Sequence, residues 1–225
     1  MPDMNTINQD IKAPIFAISR LRMGTDGKGI TTLVTFMGCP LNCKYCINPK
    51  CHEPIYEKDG TTPRKGIMLL TPYELYNIVK VDNLYFQATG GGVCFGGGEP
   101  TLHEAFIKEF KQLCGDKWKI TLETSLSCSF STIRELSTAV DHWIVDIKTM
   151  DPRIYESYTG CNYSIIQLLT SLKRLVPKER VTIKVPLIPD YNDMEDVERS
   201  IERIERLLGF DNIVTCQYIK TNDHE

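Results

Sequence analysis

Cys39, Cys43 and Cys46 stand in the run Gly-Cys-Pro-Leu-Asn-Cys-Lys-Tyr-Cys, a CxxxCxxC spacing. Steps of four and three residues let a short loop wrap one metal group, which a straight strand could not do, and Gly38 and Pro40 help the backbone turn. A cubane iron–sulfur cluster ordinarily takes four cysteines. Three would leave one iron open to a small molecule and turn an electron carrier into a catalyst. Tetrahedral zinc is the alternative, because His52 lies close by. A zinc site would be signalled by a second paired cluster such as CxxC or HxxxH, and none follows. Cys51, five residues past Cys46, is a candidate fourth ligand. Cys94, Cys114, Cys128, Cys161 and Cys216 are scattered, several within apolar runs, and read as small buried hydrophobes.

Two glycine runs, Gly90 to Gly92 and Gly96 to Gly98, flank the apolar stretch Val93 to Phe95, and the second continues into Glu99-Pro100. Glycine lets backbone approach a ligand closely, although a lone run often marks only a tight turn. Further on, Leu122-Glu123-Thr124-Ser125 and Val145-Asp146-Ile147-Lys148 each close a predicted strand. Strand C-termini are where parallel α/β folds place their chemistry. The other role open to Glu123 and Asp146 is capping or ion pairing.

These residues need a frame. Apolar runs predict strands at Thr31–Phe36, Gly92–Phe95, Lys119–Glu123, Trp143–Ile147, Val181–Leu187 and Ile213–Tyr218, buried on both faces as in a parallel sheet. Helices are signalled by their caps. Thr71-Pro72-Tyr73-Glu74 combines an N-cap, a proline at the first position and a capping-box glutamate. Ser164 with Gln167 predicts a second box. Val197, Ile201, Ile204 and Leu208 mark one face of a helix that starts at Met194 and is stopped by Gly209. Strand–helix alternation argues for βαβ units, compatible with a barrel or a doubly wound open sheet. Residues 1–225 read as one domain, with a cysteine loop at 37–52 and a polar, mobile loop at about 51–70.

The cysteine triplet followed by Gly97-Gly98-Glu99 resembles the radical S-adenosylmethionine superfamily. Within it, the chain is similar to activating enzymes of glycyl radical enzymes, the pyruvate formate-lyase activating type in particular. Ala17-Ile18-Ser19-Arg20 with Asp26 to Thr31, the loop ending Cys46-Ile47-Asn48-Pro49, Gly90 to Pro100, and Asp146-Ile147-Lys148 carry that likeness in the family's order. It implies an incomplete (β/α)6, TIM-like barrel. It also implies a [4Fe–4S] cluster on Cys39, Cys43 and Cys46, and S-adenosylmethionine whose amino group meets Gly97, Gly98 and Glu99. Tyr45 matches an aromatic position near the adenine, Lys148 a lysine near the cofactor, and Lys184 a place where relatives carry arginine. Glu123, Thr124 and Asp146 match a site for a monovalent cation, Na+ or K+, with glutamate where the family has aspartate. The family's histidine near the last strand is missing, and Tyr218 and Ile219 fill that region.

The implied activity is reductive cleavage of S-adenosylmethionine to methionine and a 5′-deoxyadenosyl radical. That radical takes a hydrogen atom from a backbone glycine of a partner glycyl radical enzyme. The additional ferredoxin-type clusters of many relatives would need about eight further cysteines after the triplet, which favours the simpler type. A radical enzyme acting on a peptide or small molecule, and a non-catalytic iron–sulfur or zinc protein, are the rival readings. Lys44, Lys50, Lys58, Arg64 and Lys65 around the cysteine loop suit an acidic electron donor, flavodoxin or ferredoxin.

Composition excludes other classes. A net charge of −3 gives no general case for nucleic acid or an anionic membrane. A hydrophobic fraction of 42% with 9% aromatics is globular, not disordered. Nine cysteines are too sparse, and odd in number, for a disulfide scaffold, so a reducing, cytoplasmic setting is expected.

Overall fold

The computed structural model describes residues 10–219, built on one eight-stranded sheet. Its strands are β1 (Ala13–Met23), β2 (Ile30–Phe36), β3 (Met68–Leu70), β4 (Gly92–Gly97), β5 (Lys119–Thr124), β6 (His142–Asp146), β7 (Val181–Leu187) and β8 (Ile213–Gln217). The order is β3-β1-β2-β4-β5-β6-β7-β8. From β2 to β8 every neighbour is parallel, whereas β1 joins β2, and β3 joins β1, antiparallel. Because β3 and β8 are not paired, the sheet is an unclosed partial barrel.

The six predicted strands are all present, each within one or two residues of the sequence reading. β1 and β3 were not predicted, and β3 falls inside the segment read as a loop. β1 mixes Pro14, Arg20 and Arg22 with its apolar residues. Its pairing register with β2 also shifts between Ser19 and Arg22, where Leu21 takes a φ of 55°. A bulge of this kind breaks the period-two signal. Before β3, a 3-10 turn at Pro49–His52 is followed by a segment with one bridge, Tyr56 to Pro63, turned by Asp59 accepting from the backbone N–H groups of Thr61 and Thr62.

The helices are α1 (Pro72–Val79), α2 (Asn83–Thr89), α3 (Glu104–Cys114), α4 (Phe130–Ser137), α5 (Pro152–Thr159), α6 (Ile165–Leu175) and α7 (Met194–Leu208). At α1 the capping box forms as predicted, with Thr71 and Glu74 satisfying each other's backbone N–H groups. The Ser164 box does not form: the Ser164 side chain caps nothing, and the Gln167 N–H goes to the Ser164 carbonyl. Gly209 ends α7 at a φ of 70°, as expected of a left-handed C-cap.

Side chains alternate across each strand, so one face meets the helices and the other lines the barrel. Val93 and Phe95, Ile120 and Leu122, Trp143 and Val145, and Ile183 and Val185 belong to the hydrophobic core. Their neighbours Cys94, Glu123, Asp146 and Lys184 therefore share the inner face. This parity, invisible in any one strand, gathers the charged residues.

At the β1 edge, Asp82 is fully buried and accepts from Arg20 Nε at 2.9 Å and Thr32 Oγ1 at 2.9 Å. Arg20, first, and then Thr32 hold its carboxyl below the usual range, against the effect of burial. A depressed carboxylate contributes stability that is fully present above its unfolded value and lost as pH falls through the folded one. Arg20→Met is therefore expected to lower the melting temperature at neutral pH, with the gap to wild type narrowing below about pH 4. A gap independent of pH would show that the pair is not the cause.

Candidate active site

One cavity at the C-terminal ends of the strands is lined by Cys39, Cys43, Tyr45, Cys46, Gly97, Gly98, Glu99, Glu123, Thr124, Asp146 and Lys148. Of the residues expected to hold the cluster or the cofactor, only Lys184 and the candidate fourth ligand Cys51 are not on its wall. Ser125, Tyr158 and Tyr218 also line it. Ser125 closes the Leu122 to Ser125 run, but nothing in the sequence flags Tyr158, which arrives on α5.

The cysteine loop is fixed by helix and strand ends. The last carbonyls of a helix lack partners within it. Here those of Thr159 and Tyr158 accept from Asn42 N at 2.8 Å and Lys44 N at 3.1 Å. On the other side Gly38 O accepts from Glu99 N at 2.8 Å, and Phe36 O from Gly98 N at 2.9 Å. Burial raises Cys39 to about 12 and Cys43 to about 11. Cys46 is lowered to about 5, first by a hydrogen bond from Cys51 and further by Asn48 and His52. The ligand atoms of Cys46, Cys51 and His52 lie within 4.8 Å of one another. Cys51 is buried beside Cys46 and does not line the cavity, whereas Cys39, Cys43 and Cys46 do.

Glu99 is buried and takes five hydrogen bonds. Thr101 N, Thr101 Oγ1 and Thr124 Oγ1 donate to Oε1, and Ser125 N and Oγ donate to Oε2. The carboxylate thereby ties the end of β4 to the end of β5, and Thr124 serves it from below.

Asp146 and Lys148 form a second cluster. Lys148 Nζ donates to Asp146 Oδ2 at 2.6 Å and to Tyr218 Oη at 2.7 Å, and the Tyr218 hydroxyl also donates to Asp146. Burial alone would lower the lysine, but Asp146 and Tyr218 outweigh it and hold the ammonium above its usual range. Lys148 has a φ of 62° in a turn closed by Thr149 N to Ile147 O at 2.7 Å. A non-glycine residue in that region costs free energy, and such strain collects at functional sites. Asp146 Oδ1 is buried without a hydrogen-bond partner. Lys184 Nζ donates to Glu123 Oε1 at 2.5 Å, so both carboxylates do form ion pairs. Tyr45 donates to Asp190 at 2.8 Å and packs edge-on against Tyr158 and Tyr191.

Among the remaining cysteines, Cys94 and Cys114 are buried, and Cys128 and Cys161 are half-buried against the core. Cys216 is exposed on β8, contrary to its reading as a buried hydrophobe. A wider depression of about 740 Å³ lies at the opposite ends of the strands. Three of its cations are engaged: Lys111 and Lys119 with Asp141, and Arg180 with the carbonyls of Ser137 and Asp141. No helix among the described residues is long and apolar enough to cross a membrane.

A partial α/β barrel with three thiols and a charged wall converging on one cavity is the architecture of an enzyme with a thiol-held cofactor. The Radical SAM superfamily model matches residues 33–204, and the chain belongs to that superfamily. It is 28% identical to the (2S)-3-sulfopropanediol dehydratase activating enzyme of Klebsiella oxytoca, over 90% of this chain and 80% of that protein. It is 33% identical to the pyruvate formate-lyase-activating enzyme of Clostridium pasteurianum, over 88% of this chain and 82% of that one. The crystal structure of Streptococcus suis SuiB bound to S-adenosylmethionine superposes with a TM-score of 0.59 at 16% identity. That match covers 82% of this chain but only 39% of SuiB, and it speaks to the fold alone. The chain is therefore a radical S-adenosylmethionine enzyme of oxidoreductase type, and its family implies a [4Fe–4S] cluster and S-adenosylmethionine.

Proposed function

We propose that this chain is an activating enzyme that installs a radical on a backbone glycine of a partner glycyl radical enzyme. The observation that carries this reading is the similarity to activating enzymes along nearly the whole chain, together with the single cavity that gathers the thiols, Gly97-Gly98 and Lys148. When bound, the cluster and S-adenosylmethionine supply one-electron cleavage of the sulfonium to methionine and a 5′-deoxyadenosyl radical, which takes the glycine Cα hydrogen.

Cys39, Cys43 and Cys46 would hold the cluster, three thiolates where such a cluster ordinarily takes four. The donor set fits, because all three cysteines line one cavity. Gly97 and Gly98 keep the β4 end free of side chains beside those thiols. Glu99 and Thr124 hold that edge in register through their mutual hydrogen bond. Lys148 would offer a fixed positive charge to an anionic or hydroxyl group of the cofactor, and Tyr45 would offer it an aromatic surface. Tyr218 orients Lys148 through the hydrogen bond its hydroxyl accepts.

The test is anaerobic. The reconstituted protein is mixed with dithionite, S-adenosylmethionine and either pyruvate formate-lyase or a sulfopropanediol dehydratase. 5′-Deoxyadenosine and the glycyl electron-spin-resonance signal are then quantified. Product with a glycyl signal is expected from one of these partners. 5′-Deoxyadenosine formed without a glycyl signal from any glycyl radical enzyme would favour a peptide or small-molecule substrate.

The natural reductant is an acidic flavodoxin or ferredoxin docking beside the cysteine loop. Lys44, Lys58 and Lys65 are exposed there with Ile47, whereas Arg64 pairs with Glu53 and Lys50 reaches Gly66 O. Complementary charge acts mostly on encounter. Lys44→Glu with Lys65→Glu is expected to slow flavodoxin-driven turnover about tenfold at low salt and to leave dithionite-driven turnover unchanged. Equal losses with both reductants would place the defect in the site.

A further inference from the structure

The sequence likeness implies a monovalent cation on Glu123, Thr124 and Asp146, and the residues present do not fit one. Thr124 Oγ1 donates to Glu99 Oε1 at 2.6 Å and accepts from Leu126 N at 2.9 Å. Glu123 Oε1 holds the Lys184 ammonium at 2.5 Å, and Asp146 Oδ2 holds the Lys148 ammonium at 2.6 Å. Lys184 also stands directly opposite Asp146 in the β6–β7 register. The ammonium of Lys184 is thus paired with one of the two carboxylates an ion would need and set across the strand pair from the other.

From this geometry we infer that the site works without a monovalent cation, and that Lys184 is the positioning residue that replaces it. The inference rests on reading this cavity as the S-adenosylmethionine site. The two carboxylates of the expected ion site are already matched by two ammonium groups, Lys184 on Glu123 and Lys148 on Asp146, so an added ion would meet like charge on both lysines. Lysine suits the part because its ammonium is a compact point charge, close in character to a small ion and unlike the planar fork of arginine. The remaining buried acceptor, Asp146 Oδ1, needs only an N–H or O–H donor, which the bound cofactor can bring. The longer glutamate at 123 is explained by the same pairing: it reaches the β7 lysine across the intervening strand β6.

Two measurements test this. Equilibrium binding of S-adenosylmethionine to the cluster-loaded protein is compared in potassium, sodium and choline chloride at one ionic strength. Wild type is expected to bind equally in all three. Lys184→Met is expected to bind about tenfold more weakly in choline and to recover when potassium or sodium is supplied, a response that a merely structural role would not give. Lys184→Arg, which keeps the charge, is expected to remain indifferent to salt identity. Wild-type binding that tightens saturably with potassium or sodium overturns the inference, as does a Lys184→Met variant that binds like wild type in choline. The second measurement is the melting temperature of wild type without S-adenosylmethionine in the same salts. A match across the three salts supports the inference, and a saturable rise with potassium or sodium counts against it. It decides the question even where Lys184→Met does not fold. Failure to bind S-adenosylmethionine in every salt would overturn the proposed function instead, leaving the melting comparison to judge the cation.

Discussion

Cys43→Ala is expected to reduce 5′-deoxyadenosine formation to background and to abolish retention of iron and sulfide. The loss should exceed the roughly 10–100-fold cost of deleting an outer-shell partner of a metal ligand, because Cys43 is proposed as a ligand itself. Only three cysteines of the loop line the cavity, and Cys51, buried beside Cys46, does not. Folding should survive, since the loop is held by backbone bonds from Asn42 and Lys44 to α5 and not by the Cys43 side chain. The measurements are iron and sulfide content, the product assay and a thermal melt. Cys216→Ala, on exposed β8, serves as the cysteine control. A Cys43→Ala protein that keeps a full cluster would point to Cys51 as a ligand and break the three-thiol reading.

The second large effect comes from a residue with no side chain. A Cβ on Gly98 would lie 2.1 Å from the Gly38 carbonyl oxygen and 3.0 Å from that of Phe36. Both obstacles are backbone, and the same two carbonyls accept the N–H groups of Glu99 and Gly98. Gly98→Ala must therefore push the start of the cysteine loop away from the end of β4. Overpacking of this kind costs about 1–3 kcal/mol. The functional loss should be greater, because a displacement near 1 Å in a positioned site can cost roughly 100-fold in rate. S-Adenosylmethionine affinity and product formation are both expected to fall, with a modest drop in melting temperature. Wild-type affinity and turnover in Gly98→Ala would mean that the loop and the strand end are not coupled.

Much of this was legible in the residues themselves. The β2 and β4 to β8 runs are apolar enough to be seen one at a time, and the Thr71 and Gly209 caps act within a single turn. β1 escaped notice because its bulge at Leu21 interrupts the alternation and because Arg20, a charge within the strand, is paired by Asp82 far away in sequence. β3 escaped because three residues are too few to show a period. The Ser164 box failed for a related reason: a motif offers a cap, but the local backbone decides whether the side chain reaches it.

For the site, sequence alone determined the chemistry. Cysteine spacing and a glycine-rich strand end are local facts, set by what thiols and bare backbone can do over a few residues. Tertiary structure decided the partnerships. Glu123 and Lys184 are separated by 61 positions and meet only because parallel strands put alternate residues on one inner face. Tyr218 reaches Lys148 across 70 positions, and Tyr158 joins the wall because the end of α5 anchors the cysteine loop. Whether a carboxylate holds a cation or a lysine depends on which ammonium the fold delivers to it, and no spacing along the chain encodes that.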